Sequence, residues 1–188
     1  MKKAATFILA VLVSAGITSC EKTKEDINKA TEFDMNYSTE FTIPSSTLTV
    51  PGGAPSATTQ PIDFNTPEIS TASANRFTSE STTKDLIEEI KMTKFNISNP
   101  GGNLNYLKSF TIYLKTSNLG DVAVASKTVV PQNVSTLDAD LANVNIKEYI
   151  FKDKIQFRIN VVLITGTGAS GDQKLKTTQT MHVKGKRI

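Results

Sequence analysis

Groups able to carry chemistry are few in this chain: of 188 residues one is His, one is Cys and none is Trp. A nucleophilic triad of the Ser-His-Asp type has only His182 to build on. His182 sits between Met181 and Val183 in a stretch that alternates apolar and polar residues, which puts it on the polar side of a strand, exposed and without a catalytic task. Asp138 and Asp140 stand two apart, hence on one face of an extended stretch, and Glu88 and Glu89 are adjacent. Either pair has the charge for a weak calcium site or a carboxylate dyad. Neither has the loop glycine and the run of oxygen ligands that calcium sites need, so both read as solvated faces. Residues 161–171 read VVLITGTGASG, with Gly166, Gly168 and Gly171 in the spacing of a dinucleotide-binding turn. Period two resumes at once through Asp172-Gln173-Lys174-Leu175-Lys176, and only 17 residues remain, too few for a βαβ unit. The glycines therefore read as a hairpin loop between antiparallel strands. No catalytic, cofactor or metal residue can be named, and the expectation is a protein that is not an enzyme and uses no cofactor.

The elements available to position side chains are strands. Phe33, Met35, Tyr37, Phe41 and Ile43 take odd positions while Asp34, Asn36, Ser38, Glu40 and Thr42 take even ones, the period of a half-buried strand that Pro44 ends. Leu48 with Val50, and Ile62 with Phe64, predict two more around the turn Pro51-Gly52-Gly53. Residues 65–81 are rich in Ser and Thr and read as a long surface loop. A helix is expected at 82–90, where Thr82 is followed three residues later by Asp85 and by the apolar stripe Leu86, Ile87 and Ile90. Strands are predicted at 92–97, 110–114, 122–124 and 137–141, and a helical turn at 145–149.

The clearest strand is 155–164, in which Ile155, Phe157, Ile159, Val161 and Leu163 share a face. At roughly 1.5–3 kcal/mol per buried large apolar side chain, that face contributes about 8–15 kcal/mol before entropy is subtracted. It is the expected central strand. Its other face begins polar with Gln156, Arg158 and Asn160 and turns apolar at Val162 and Ile164, which implies a cover, either the 82–90 helix or a partner. Val162 and Ile164 are thus a candidate partner patch. The last strand, 175–183, alternates on odd numbers. Short alternating strands with Pro, Gly and Asn turns predict an all-β fold, an antiparallel two-sheet immunoglobulin-like β-sandwich with one short helix.

The N-terminus has a different texture. Lys2 and Lys3 precede an uncharged apolar run over 4–17 and the small pair Thr18-Ser19, the layout of a cleavable signal peptide. Fourteen residues are too few to span a hydrocarbon core of roughly 30 Å. Ile17-Thr18-Ser19-Cys20 resembles the lipobox of bacterial lipoproteins. That resemblance implies cleavage before Cys20 and its acylation, and two or three acyl chains give stable membrane attachment. Glu21, Glu25 and Asp26 are similar to the export signals of surface lipoproteins in Bacteroidota, a pattern that Lys22 and Lys24 dilute. With Ile97-Ser98-Asn99-Pro100, Tyr149 and the 155–163 strand, the chain looks like envelope lipoproteins of that phylum, which offer no catalytic residues to transfer.

The expected organisation is a lipoprotein signal peptide at 1–19, a lipidated Cys20 with a flexible charged tether at 20–32, and a single β-sandwich domain at 33–188. Loss of Lys2 and Lys3 with the leader leaves 19 basic against 18 acidic residues, so no electrostatic case for nucleic acid survives. The expected partners are the membrane, through acylated Cys20, and an envelope protein. The expected location is the outer membrane, on its periplasmic face or at the cell surface. Two functional classes follow: a structural or binding lipoprotein, such as an accessory subunit of an outer-membrane assembly, or a surface glycan- or ligand-binding module. The second needs accessible aromatics, for which Tyr37, Tyr106, Tyr113 and Tyr149 are the tyrosine candidates.

Overall fold

Apolar residues spaced by two force their strands into layers that close over one another, and the chain does this twice. In the computed structural model, which describes residues 32–48, 56–57, 60–166 and 171–186, two antiparallel sheets face each other. The first has four strands in the order β1 (Phe33–Ile43), β11 (Gln173–Gly185), β5 (Ile87–Ser98) and β8 (Thr136–Asp138). The second is built on β10 (Lys154–Thr165). One edge of β10 pairs in succession with β2 (Ser56–Ala57), β3 (Ile62–Asn65) and β4 (Ile69–Ser70). Its other edge pairs with β6 (Leu107–Thr116), followed by β7 (Leu119–Lys127) and β9 (Asp140–Leu141).

Strand β10 is interior to its sheet, and its odd-numbered side chains from Ile155 to Leu163 are at most 1% exposed. They meet the odd face of β11, where Leu175, Met181 and Val183 are fully buried. Phe95 of β5 packs edge-on against Phe157 of β10 at 5.3 Å between ring centroids, which pins one sheet to the other.

The α-helix is not at 82–90. Lys84–Leu86 forms a single 3-10 turn, and Ile87 begins β5. The helix-like spacing of Ile87 and Ile90 comes from β-bulges. Glu89 pairs with Lys184 and Ile87 with Gly185, so Glu88 is an extra residue, and Thr93 is another between Met92 and Lys94. Each bulge turns a spacing of two into a spacing of three, which in sequence reads like a helical stripe. Strand β5 also lies in the four-stranded sheet, so it does not cover Val162 and Ile164.

Residues 65–81 are not a free surface loop. They fold down as a strap containing β4 and the helix α1 (Ser73–Ser79), and Phe77, at 2% exposure, anchors them edge-on against Phe33 and Phe151. The hydroxyl-rich composition has a structural use. Thr66 Oγ1 accepts from the Phe157 amide, and Thr71 Oγ1 donates to the Lys152 carbonyl, so the strap's polar groups are bonded where they are buried. A second helical turn, α2 (Lys147–Ile150), falls where 145–149 predicted one.

Two further expectations change. The 137–141 stretch is not one strand: β8 belongs to the four-stranded sheet and β9 to the other, with Ala139 crossing between them and donating its amide to the Phe95 carbonyl. The connection after β10 is not a hairpin either, because β10 and β11 lie in different sheets; Gly166 and Gly171 are both at positive φ. No helix follows Gly171, since β11 begins at Gln173. Cys20 and its lipobox, Gly168, and most of 51–61 lie outside the described residues.

Candidate functional site: a polar platform on the seven-stranded sheet

The outer face of β10 starts with Gln156, Arg158 and Asn160, and its neighbours supply the partners. Register sets Arg158 opposite Tyr113 on β6 and Asn65 on β3, and Asn160 opposite Thr111 and Asp63. Beyond β6, Tyr113 pairs with Ala123 of β7, two residues from Asp121. Four strands therefore deliver one cluster: Asp63, Arg158 with Asn160, Tyr113 and Asp121.

The Arg158 guanidinium lies over the Tyr113 ring, 4.0 Å from its centroid. Its Nε donates to Asp121 Oδ2 at 2.8 Å and its Nη1 to Asp63 Oδ1 at 3.1 Å, while Asn160 Nδ2 donates to the same Asp63 oxygen at 2.6 Å. Among the described residues Nη2 of Arg158, the second oxygen of Asp63 and the second oxygen of Asp121 take no hydrogen bond. The Arg158 side chain is 21% exposed and that of Asp63 48%. Fixed donors and acceptors thus face solvent on a rigid sheet.

The electrostatics hold the charged forms in place. The Asn160 hydrogen bond comes first in keeping the Asp63 carboxyl below the usual aspartate range; slight burial opposes it, and Arg158 and Lys115 add to it. Partial desolvation works against the Arg158 charge, but the bonds to Asp121 and Asp63 outweigh it and raise its proton affinity. These bonds favour the charged forms of Asp63 and Arg158, and the cluster presents fixed hydrogen-bonding groups to solvent.

The residues singled out in the sequence lie elsewhere. His182 is on the outer face of the other sheet, with Nδ1 2.9 Å from Asp34 Oδ1. Glu88 and Glu89 pair separately with Lys184 and Lys91. Asp138 accepts from Asn96 and Asp140 pairs with Lys127, each in its own sheet, so the two carboxylates form no dyad. Of the tyrosines, Tyr106 is 1% exposed and bonded to Asn99, Tyr37 donates to the Thr71 carbonyl, and Tyr149 donates to the Gly120 carbonyl. Tyr113 is the one that joins the Arg158 cluster. Val162 and Ile164 are half-buried and share the outer face of β10 with Arg158, opposite Ser109 and Ala57 respectively. Among the described residues no group of three or more His, Cys, Asp or Glu is placed to hold a metal.

A hollow of about 530 Å³ lies at one end of the sandwich, lined among others by Asn99, Glu40 and Lys176. Its buried Asn99 is spent on structure. The side-chain amide donates to the Asn103 carbonyl, to the Tyr106 hydroxyl and to Gln173 Oε1, and its oxygen accepts from the Gly101 amide.

No protein-family model matches this chain, and no curated protein matches it. Among solved structures it is similar to one described as the structural basis for the promiscuous specificity of carbohydrate-binding modules from the β-sandwich superfamily. The identity is 14%, the match covers 85% of this chain and 57% of that one, and the TM-score is 0.29. This chain spans a little over half the length of that structure, and at such a TM-score the likeness says nothing about a ligand.

Proposed function

We propose that this chain is a non-enzymatic, lipid-anchored envelope protein that binds a glycan on the outer face of its seven-stranded sheet. The observation that carries this reading is Arg158, laid over Tyr113 and braced by Asp63 and Asp121, with its Nη2 and one oxygen of each carboxylate free of hydrogen bonds among the described residues. Sugar hydroxyls donate and accept at once, so neighbouring hydroxyls satisfy such an array, and a site fixed on strands holds its groups in place without ordering a loop. Isothermal titration against a panel of neutral and acidic oligosaccharides tests it. Arg158→Ala is expected to weaken binding of any recognised glycan at least tenfold, about 1.4 kcal/mol, with little loss of thermal stability because exposed ion pairs are worth roughly 0–1 kcal/mol. A wild-type protein that binds no member of the panel overturns the reading.

The tether is the second half of the proposal. Cys20→Ala is expected to move the protein from the membrane pellet to the soluble or unprocessed fraction, and continued pelleting of a processed mutant contradicts acylation. One observation favours a protein partner as well: Val162 and Ile164 extend the same face as an apolar end. Crosslinking in intact cells, followed by mass spectrometry, tests whether an accessory-subunit role accompanies glycan binding; crosslinks from this face to another envelope protein support it.

A further inference from the structure

Next to the Arg158 cluster the sheet carries a hollow of about 330 Å³ lined by Lys115, Lys154, Glu68, Gln156 and Thr116 among others. Lys115 follows Tyr113 by two on the same face of β6, about 6.6 Å along the strand, and its register partner is Gln156, two before Arg158. The hollow therefore adjoins the platform, one same-face position along β6 and β10. Its charges are unevenly matched. Lys154 Nζ is bonded to Glu68 at 3.0 Å, whereas Lys115 makes no ion pair or hydrogen bond among the described residues, although its charge contributes to lowering the proton affinity of Asp63. Asp63 and Asp121 divide a single guanidinium, so the centre of the platform repels an anion and the Lys115 end attracts one.

We propose that the glycan bound by this face carries a carboxylate, as in a uronic acid, and that Lys115 receives it in this hollow while the ring hydroxyls engage Arg158, Asp63 and Asp121. This rests on the glycan reading of the Arg158 face. It adds an orientation, because a carboxylate placed over the two aspartates is repelled and one placed two residues along β6 is not. An ammonium suits the task as a compact point charge on a flexible stem.

The test uses oligomers of galacturonate, glucuronate and mannuronate, each as the free acid and as its methyl ester, titrated into wild type, Lys115→Gln and Lys115→Arg. The free acid of at least one backbone is expected to bind wild type fivefold or more tighter than its ester at low ionic strength, with the gap narrowing as salt rises. K115Q is expected to abolish that gap and K115R to keep most of it. Equal binding of acid and ester by wild type, or a gap that persists in K115Q, overturns the carboxylate assignment and leaves the glycan reading standing. Failure of wild type to bind any acid, ester or neutral sugar overturns both.

Discussion

The two outer faces of this sandwich are made of similar residues and do different things with them. On the four-stranded sheet, polar side chains bond to their cross-strand neighbours: His182 with Asp34, Thr180 with Asn36, and Asn96 with both Asp138 and Thr136. Each of these contacts joins two neighbouring strands, and that face covers β1, β11, β5 and β8 with local pairs. On the seven-stranded sheet one long planar side chain collects partners from β3, β6 and β7 into a single cluster. What separates a covering from a candidate site here is the reach of Arg158. Pairwise ladders link two strands at a time, whereas one guanidinium shared by two carboxylates and laid over a ring ties β3, β6, β7 and β10 into a single cluster.

Strand β10 belongs to both halves of that comparison, since its odd residues form the core and its even residues the platform. Ile159→Asp buries an unpaired carboxylate at a fully buried position and is expected to abolish cooperative unfolding, a loss of more than about 4 kcal/mol. A melting temperature unchanged by that substitution means the strand is not the centre of the core. Arg158→Ala, at the adjacent residue on the opposite face, is expected to lose ligand and keep the fold, so the two variants separate the strand's two tasks.

The acid limb sharpens the contrast further. Because the Asp63 pKa is depressed in the fold, its stabilising contribution is present above the ordinary aspartate value and lost as pH falls through the lowered one. The stability difference between wild type and Asp63→Asn is therefore expected to be constant from neutral pH down to the ordinary aspartate range and to shrink below it, read from urea denaturation at stepped pH. A difference that grows on acidification contradicts the assignment of Asp63 as a bonded carboxylate. The smallest effect is expected on the other sheet: His182→Ala should change stability by no more than about 0.5 kcal/mol and leave glycan affinity unaltered, since its contact with Asp34 is exposed. A tenfold loss of affinity in that variant moves the site to the four-stranded sheet.

Much of the architecture was legible because period two is a local signal. The odd faces of β1, β10 and β11 could be read residue by residue, and they are the faces that meet. The helix at 82–90 was misread because bulges at Glu88 and Thr93 lengthen the apolar spacing from two to three, and a bulge is set by the partner strand β11, which sequence spacing does not display. The strap at 65–81 looked unanchored because Phe77 is its one buried apolar side chain, its other buried residues being the hydroxylic Thr66, Thr71 and Ser73. Asp138 and Asp140 seemed to share a face because nothing local announces that the chain changes sheets at Ala139.

The platform was half visible. Gln156, Arg158 and Asn160 stood out as a polar face, and Tyr113 as an accessible aromatic in a strand whose even residues, Phe110, Ile112 and Leu114, are core. What joins Arg158 to Tyr113, Asp63 and Asp121 is the register among four strands separated by up to 95 positions in the chain, and register between distant strands is a product of folding the whole sheet. An arginine on the solvent side of the most apolar strand was the one local sign.

Amide chemical-shift mapping with an acidic oligosaccharide tests the central claim most directly. Shifts that begin at Asp63, Tyr113, Asp121, Arg158 and Asn160 and extend toward Lys115 are the predicted result. Shifts centred on Asp34, Thr180 and His182, or on the hollow beside Asn99, would contradict it.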